Sequence, residues 1–102
     1  MAEVSVQQRE LEYESQVLSS RRMQALSEIH KNQTMLDFYE STGLRQADQI
    51  IKAASIAYSS GEIGFAELSQ FLTQAIDIQK NYLDILNQYN QSVIQYYYFI
   101  NR

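Results

Sequence analysis

FAELSQFLTQAIDIQKNYLDILNQYNQSVIQYYYFI, residues Phe65–Ile100, carries an apolar row at alternating steps of three and four: Phe65, Leu68, Leu72, Ala75, Gln79, Tyr82, Leu86, Tyr89, Val93, Tyr96 and Ile100. Only Gln79 interrupts it. A 3.5-residue repeat is that of a helix laid along other helices. Phe71, Ile78, Ile85 and Phe99 widen the row on one flank, and Ile76, Leu83 and Tyr97 widen it on the other. The arc is therefore broader than one partner helix covers, and it predicts contact with two neighbours. Unbroken, the stretch would span about 54 Å at 1.5 Å per residue, longer than a compact domain of this size requires.

Upstream of it lies Ser59-Ser60-Gly61-Glu62-Ile63-Gly64, where two glycines can unwind a turn and Ser59 with Glu62 has capping-box spacing. Before that break, Leu44, Ala47, Ile51, Ala54 and Tyr58 repeat the three-four spacing over a helix of about residues 44–58, with small alanines that allow close helix approach. Ser41-Thr42-Gly43 is a further break, because two residues able to cap a following helix precede a glycine that can turn left-handed. The first rod, residues 4–40, carries Val4, Leu11, Leu18, Ala25, Asn32 and Tyr39 at seven-residue steps, joined by Met23, Leu26, Ile29 and Leu36. The expectation is an all-α, single helical region over 1–102: a long antiparallel hairpin or coiled coil that turns at 41–43, with a second arm interrupted at 59–64. In that arrangement about twenty C-terminal residues, Leu86 to Phe99 among them, have no partner within the chain.

Composition narrows the chemistry. The 102 residues include no proline, no cysteine and three glycines, and 8 basic against 12 acidic residues give a net charge of -4. The acidic balance argues against a nucleic-acid surface, which needs clustered Lys and Arg. Without cysteine there is no disulfide, thiolate nucleophile or zinc knuckle. Met1–Glu12 lacks the charged start and apolar core of a secretory signal peptide, and no window approaches the roughly 20 apolar residues of a membrane span. From Asn87 onward the outward positions are Asn and Gln, including Asn101, and Arg102 is the only charge.

Ala57-Tyr58-Ser59-Ser60-Gly61-Glu62-Ile63-Gly64-Phe65-Ala66-Glu67-Leu68, followed by Gln74-Ala75, Tyr82-Leu83 and Leu86-Asn87-Gln88-Tyr89-Asn90-Gln91-Ser92, resembles the last long-helix region of the TolC-type outer-membrane efflux proteins. The wording is most similar to the branch that serves heavy-metal cation pumps of the resistance-nodulation-division (RND) type. The resemblance covers nearly all of this chain and only the C-terminal part of such a protein. It implies paired helices that descend through the periplasm, turn at a tip and climb back, with three subunits closing a tunnel. By position it would make Thr42, Gly43, Leu44 and Arg45 the tip that meets a periplasmic adaptor protein, with Tyr58, Gly61 and Gly64 at an equatorial break. Leu68, Leu72, Ala75, Tyr82, Leu86, Tyr89, Val93 and Tyr96 would be the packing seam. The implied partners are further copies of the chain, the adaptor and an inner-membrane pump, and the implied location is the periplasm and outer membrane. The family's β-strands, first structural repeat and signal peptide are absent from the sequence, so an excised helical piece is expected.

No catalytic or cofactor-binding residues stand out, since His30 is the sole histidine and no phosphate loop or metalloprotease pattern occurs. Met23, His30 and Met35 would suit Cu(I) as residue types. Met23 and His30 share a helix face, Met35 points elsewhere, and two ligands make no site; methionine at helical spacing reads as packing. Tyr96–Phe99 reads as helix packing in preference to an aromatic girdle at a membrane surface. Asp37, Glu40, Asp48, Asp77 and Asp84 could attract cations through their summed field, with none singled out. Two other functions fit the same pattern: a cytoplasmic coiled-coil interaction or scaffold module with no link to transport, and a metal-binding helical bundle.

Overall fold

The computed structural model describes residues 2–100, with side chains from Val4 to Ile100; Asn101 and Arg102, named above, lie outside them. Helix α1 runs Ala2–Phe38, a π-helical turn follows over Tyr39–Gly43, α2 runs Leu44–Ser59 and α3 runs Phe65–Ile100. No strand occurs among the described residues. The absence of proline and the long three-four repeats leave the backbone nothing to do but continue as helix. The result is a rod with extents of 87 × 22 × 15 Å, a long antiparallel hairpin as the repeat predicts.

The chain reverses at residues 60–64. Gly61 adopts φ +80, the left-handed region. Its N–H donates to the Tyr58 carbonyl at 3.1 Å, while the Glu62 N–H donates to the Ala57 carbonyl at 2.9 Å. That pair of bonds is a Schellman closure, which satisfies carbonyls that the end of α2 would otherwise leave bare. Ser60 adds a hydroxyl bond to the Ala57 carbonyl at 3.1 Å. Ser59 is the last residue of α2, and the Glu62 N–H is spent on Ala57, so the capping box suggested by their spacing does not form. Gly64 immediately precedes α3, its carbonyl accepting the Leu68 N–H at 3.0 Å.

The expected turn at 41–43 is corrected by the same geometry. Phe38, Gly43 and Leu44 all keep right-handed helical angles, and the Leu44 N–H donates to the Tyr39 carbonyl, one residue further back than in an α-helix. Ser41 does not cap forward; its hydroxyl donates back to the Phe38 carbonyl at 3.4 Å. Residues 2–59 thus form one continuous arm, interrupted within the first arm and not the second. The unmatched end moves accordingly. Arg22 reaches the Phe99 carbonyl, Asn32 reaches Ser92, and Tyr82 reaches Glu40, so α3 runs out opposite Arg22. About twenty residues of α1, not of α3, extend past it.

The seam between the arms is thin. On α1 and α2 it steps through Ala25, Ile29, Asn32, Leu36, Tyr39, Gly43, Ala47, Ile50, Ala54 and Ala57, all buried or half-buried. The threes and fours alternate except at Tyr39–Gly43–Ala47, two fours in succession, where the wider π turn sits. From the Glu40–Tyr82 bond, seven residues toward the reversal bring Ala47 on one arm and Ala75 on the other, and both are fully buried. Residues this small on both arms let the helix axes approach closely. Leu36 and Ile85 are the large aliphatic side chains buried in the seam, and burying one such side chain contributes about 1.5–3 kcal/mol.

Gly61→Ala places a Cβ in the left-handed region and is expected to destabilise the hairpin by about 1–2 kcal/mol. Thermal unfolding followed by circular dichroism would read this as a lowered midpoint, and an unchanged midpoint would contradict the closure described.

Candidate functional site: a one-sided face and the closed end

Because α3 repeats every seven residues, its seven rows can be assigned to sides of the hairpin. Glu28 and Asn32 line a groove with Gln88, Gln91, Ser92 and Gln95, which continues into one lined by Arg21, Gln24, Glu28, Gln95 and Tyr98. These residues define one side. In α3 the two rows on that side run Glu67, Gln74, Asn81, Gln88, Gln95 and Gln70, Asp77, Asp84, Gln91, Tyr98. The two rows on the opposite side run Phe65, Leu72, Gln79, Leu86, Val93, Ile100 and Ser69, Ile76, Leu83, Asn90, Tyr97, without a single charge. The matching flank of α2 carries Leu44, Ile51 and Tyr58 with Asp48 and Ser55 in the next row, and that of α1 and the π turn carries Leu26, Gln33 and Glu40 with Met23, His30 and Asp37 in the next row. This side is therefore uncharged on α3 and not on the other arm. Ile76, Leu83 and Tyr97 are between 57% and 60% exposed.

The seam residues read from the sequence take their places in this scheme. Ala75 is buried, and Leu68, Leu72, Tyr82, Leu86, Tyr89, Val93 and Tyr96 are half-buried. Burial centres one row toward Ile78, Ile85 and Phe99, which leaves Leu72, Leu86 and Val93 at the edge of the uncharged side. Tyr96 and Phe99 turn toward α1 while Tyr97 and Tyr98 are exposed.

Two buried polar residues hold the open half. Asn32 donates from Nδ2 to the Ser92 hydroxyl at 3.3 Å, and that hydroxyl bonds in turn to the Tyr89 and Gln88 carbonyls at 2.8 and 3.1 Å. No buried side-chain polar atom among the described residues is left without a partner. Sequence reasoning placed Asn32 in its row but missed Ser92, whose only signal is its seven-residue spacing from Ile85 and Phe99. Arg22 donates from Nε to the Phe99 carbonyl at 3.2 Å, a cation against the C-terminal carbonyls of α3, where the helix dipole favours it.

Thr42, Gly43, Leu44 and Arg45 lie within the long arm and not at its tip. The reason for the glycine is steric: a Cβ on Gly43 would meet Cδ1 of Tyr39 at 2.9 Å. Beside this turn, Tyr82 donates its hydroxyl to Oε1 of Glu40 at 3.1 Å. That bond to a carboxylate holds the Tyr82 hydroxyl above its ordinary value of 10.0, with lesser contributions from desolvation and from the Glu40 charge. Tyr58, Gly61 and Gly64, expected at an interruption of a returning arm, instead flank or form the closed end. Close to it, Ile50, Ala53, Ala54, Ala57, Ile63 and Phe71 line a small apolar groove.

Met23 and His30 are exposed on one row, and Met35 stands on the row of Glu28 across the hairpin. No group of three or more His, Cys, Asp or Glu is gathered for a metal among the described residues. The acids divide between the two sides: Asp77 and Asp84 lie on the glutamine side and Asp37, Glu40 and Asp48 on the other, where Glu40 is held by Tyr82 and Asp48 pairs with Lys52 at 2.9 Å. None of the described helices is long and apolar enough to cross a membrane. No family model, curated protein or solved structure matches the chain.

Two measurements check the π turn and its flanking bond. Gly43→Ala gains about 1 kcal/mol of helix propensity but overpacks Tyr39 at a cost of about 1–3 kcal/mol. It should therefore lower the unfolding midpoint of the wild type and raise it in a Tyr39→Ala background, a sign change that a double-mutant cycle reads directly. For Tyr82, a folded-state value raised above the unfolded one makes its contribution complete below the unfolded value and lost as pH rises through the folded value. Stability should consequently fall less steeply above about pH 10 in Tyr82→Phe than in the wild type, as followed by denaturant titration across that range.

Proposed function

We propose that the chain is a helical hairpin of a TolC-type outer-membrane efflux component serving a metal-cation RND pump, where it forms part of the wall of the periplasmic tunnel. The observation that carries this reading is the place of the resembling motif. Ala57–Leu68, the stretch most like the family, is where the two rods turn back on each other. The docking end for the periplasmic adaptor therefore moves from Thr42–Arg45 to residues 60–64, with Ile63 and the exposed Phe65 as its apolar contacts. A wall needs rods that remain apolar beyond their own pairing, and the uncharged side of α3 supplies that. In the parent protein this side would face the hairpin of the other structural repeat. The role involves no bond-making step: the exported cation is cargo, moved by a pump elsewhere in the assembly, and the setting would be the periplasm beneath the outer membrane.

Binding of an adaptor hairpin from a metal-cation efflux system, measured by calorimetry or surface-immobilised titration, tests the reading. Ile63→Asp should weaken that binding about tenfold or more, whereas Arg45→Glu, on an exposed position in mid-arm, should leave it unchanged. Loss of binding with Arg45→Glu alone would return the docking end to the π turn. No binding by the helical wild type would favour a scaffold unrelated to transport.

A further inference from the structure

We infer that the side of the hairpin on which α3 is uncharged is a self-association surface, on which two copies of this chain pack face to face around a two-fold axis to make a four-helix bundle. The inference stands on the geometry and does not need the transport reading. On α3 the arc free of charge is continuous from the seam through the Leu72 and Ile76 rows, so the helix is apolar toward α2 and again about a quarter-turn away. Neighbours set at that angle are those of a helix in a bundle, which touches one helix beside it and another across from it. In the half of the hairpin nearer the reversal both arms take part, Leu44, Ile51 and Tyr58 on α2 beside Leu72, Ile76 and Leu83 on α3.

Three arguments name a second copy as the occupant. The first is area. Leu26, Tyr58, Phe65, Ile76, Leu83 and Tyr97 are between 44% and 71% exposed; with the half-buried residues between them they leave roughly 700–900 Å² uncovered, counting ~150–250 Å² for a large side chain. A stable interface needs about 800 Å² on each partner. The second is one-sidedness. Apart from Tyr98, the other side of α3 is Gln, Asn, Asp and Glu, so the continuous apolar strip of this helix lies on one side, and a strip that packs on its own copy closes as a two-fold dimer. The third is charge: the α3 rows carry none, so the α3 strips of two copies meet without like-charge repulsion, and on the other arm Glu40 is held by Tyr82 and Asp48 by Lys52.

Sedimentation equilibrium of the full chain at tens of micromolar should give two chains per particle. Ile76→Glu combined with Leu83→Glu should give one chain with the helical circular dichroism retained, and Gln88→Glu combined with Gln91→Glu, on the glutamine side, should still give two. If the first pair reduces helicity, Ile76→Gln with Leu83→Gln, which keeps helix-forming residues, takes its place with the same expected dissociation. A single chain or a trimer in the wild type, or dissociation caused by the glutamine-side pair and not by the pair on the uncharged side, would overturn the proposal. A monomer that still binds the adaptor would do so while leaving the transport reading standing.

Discussion

Ala47 and Ala75, both fully buried at the same level of the seam, let the arms come close, and the rest of the hairpin is adjusted to that approach. Side chains this small contribute little burial themselves. What they do is bring two backbones close enough that Ile50, Ala54, Ile78 and Ile85 can close over the gap, and that Tyr82 and Asn32 can reach across it. The cost is a core with almost no depth: no large side chain is fully buried among the described residues. A seam this shallow leaves the apolar surface of the outer rows exposed, and on α3 that surface lies to one side.

Much of this was legible from the residues. The bounds of α3, Phe65–Ile100, follow from the extent of its repeat, and the weak point at 59–64 follows from its paired glycines. The order of the two breaks was not legible. Ser41-Thr42-Gly43 and Ser59-Ser60-Gly61 read alike, each two small hydroxyl residues before a glycine, yet glycine serves opposite needs at the two places. At Gly61 it provides a backbone angle that other residues reach at a cost; at Gly43 the angle is ordinary and what matters is the missing Cβ beneath the Tyr39 ring. Local composition cannot distinguish those uses, because the second depends on where a side chain one turn earlier comes to rest. The same limit hid Ser92, a small polar residue in an aromatic run whose role exists through Asn32, sixty residues away.

The misplaced reversal altered the functional picture more than the fold. Moving the turn transfers the exposed end from the middle of the chain to the stretch that carries the family-like wording, and transfers the unpaired length from the tyrosine-rich C-terminus to the start of α1. In the half of the hairpin nearest the turn both arms contribute large apolar residues to one side, Leu44, Ile51 and Tyr58 with Leu72, Ile76 and Leu83, while the far half mixes Gln33, Asp37 and Glu40 into its first arm.

The π turn has a further consequence. An i to i+5 turn is a helix carrying one surplus residue, a dislocation that in a uniform sequence could travel by handing the extra residue from one turn to the next. Here it is pinned. Tyr39 over Gly43 fixes its position, and any migration would drag that ring off the one residue with room for it and swing the following positions out of phase with Ala75. The defect thereby sets α2 at a fixed rotation from α1, letting each present its own best stripe to α3.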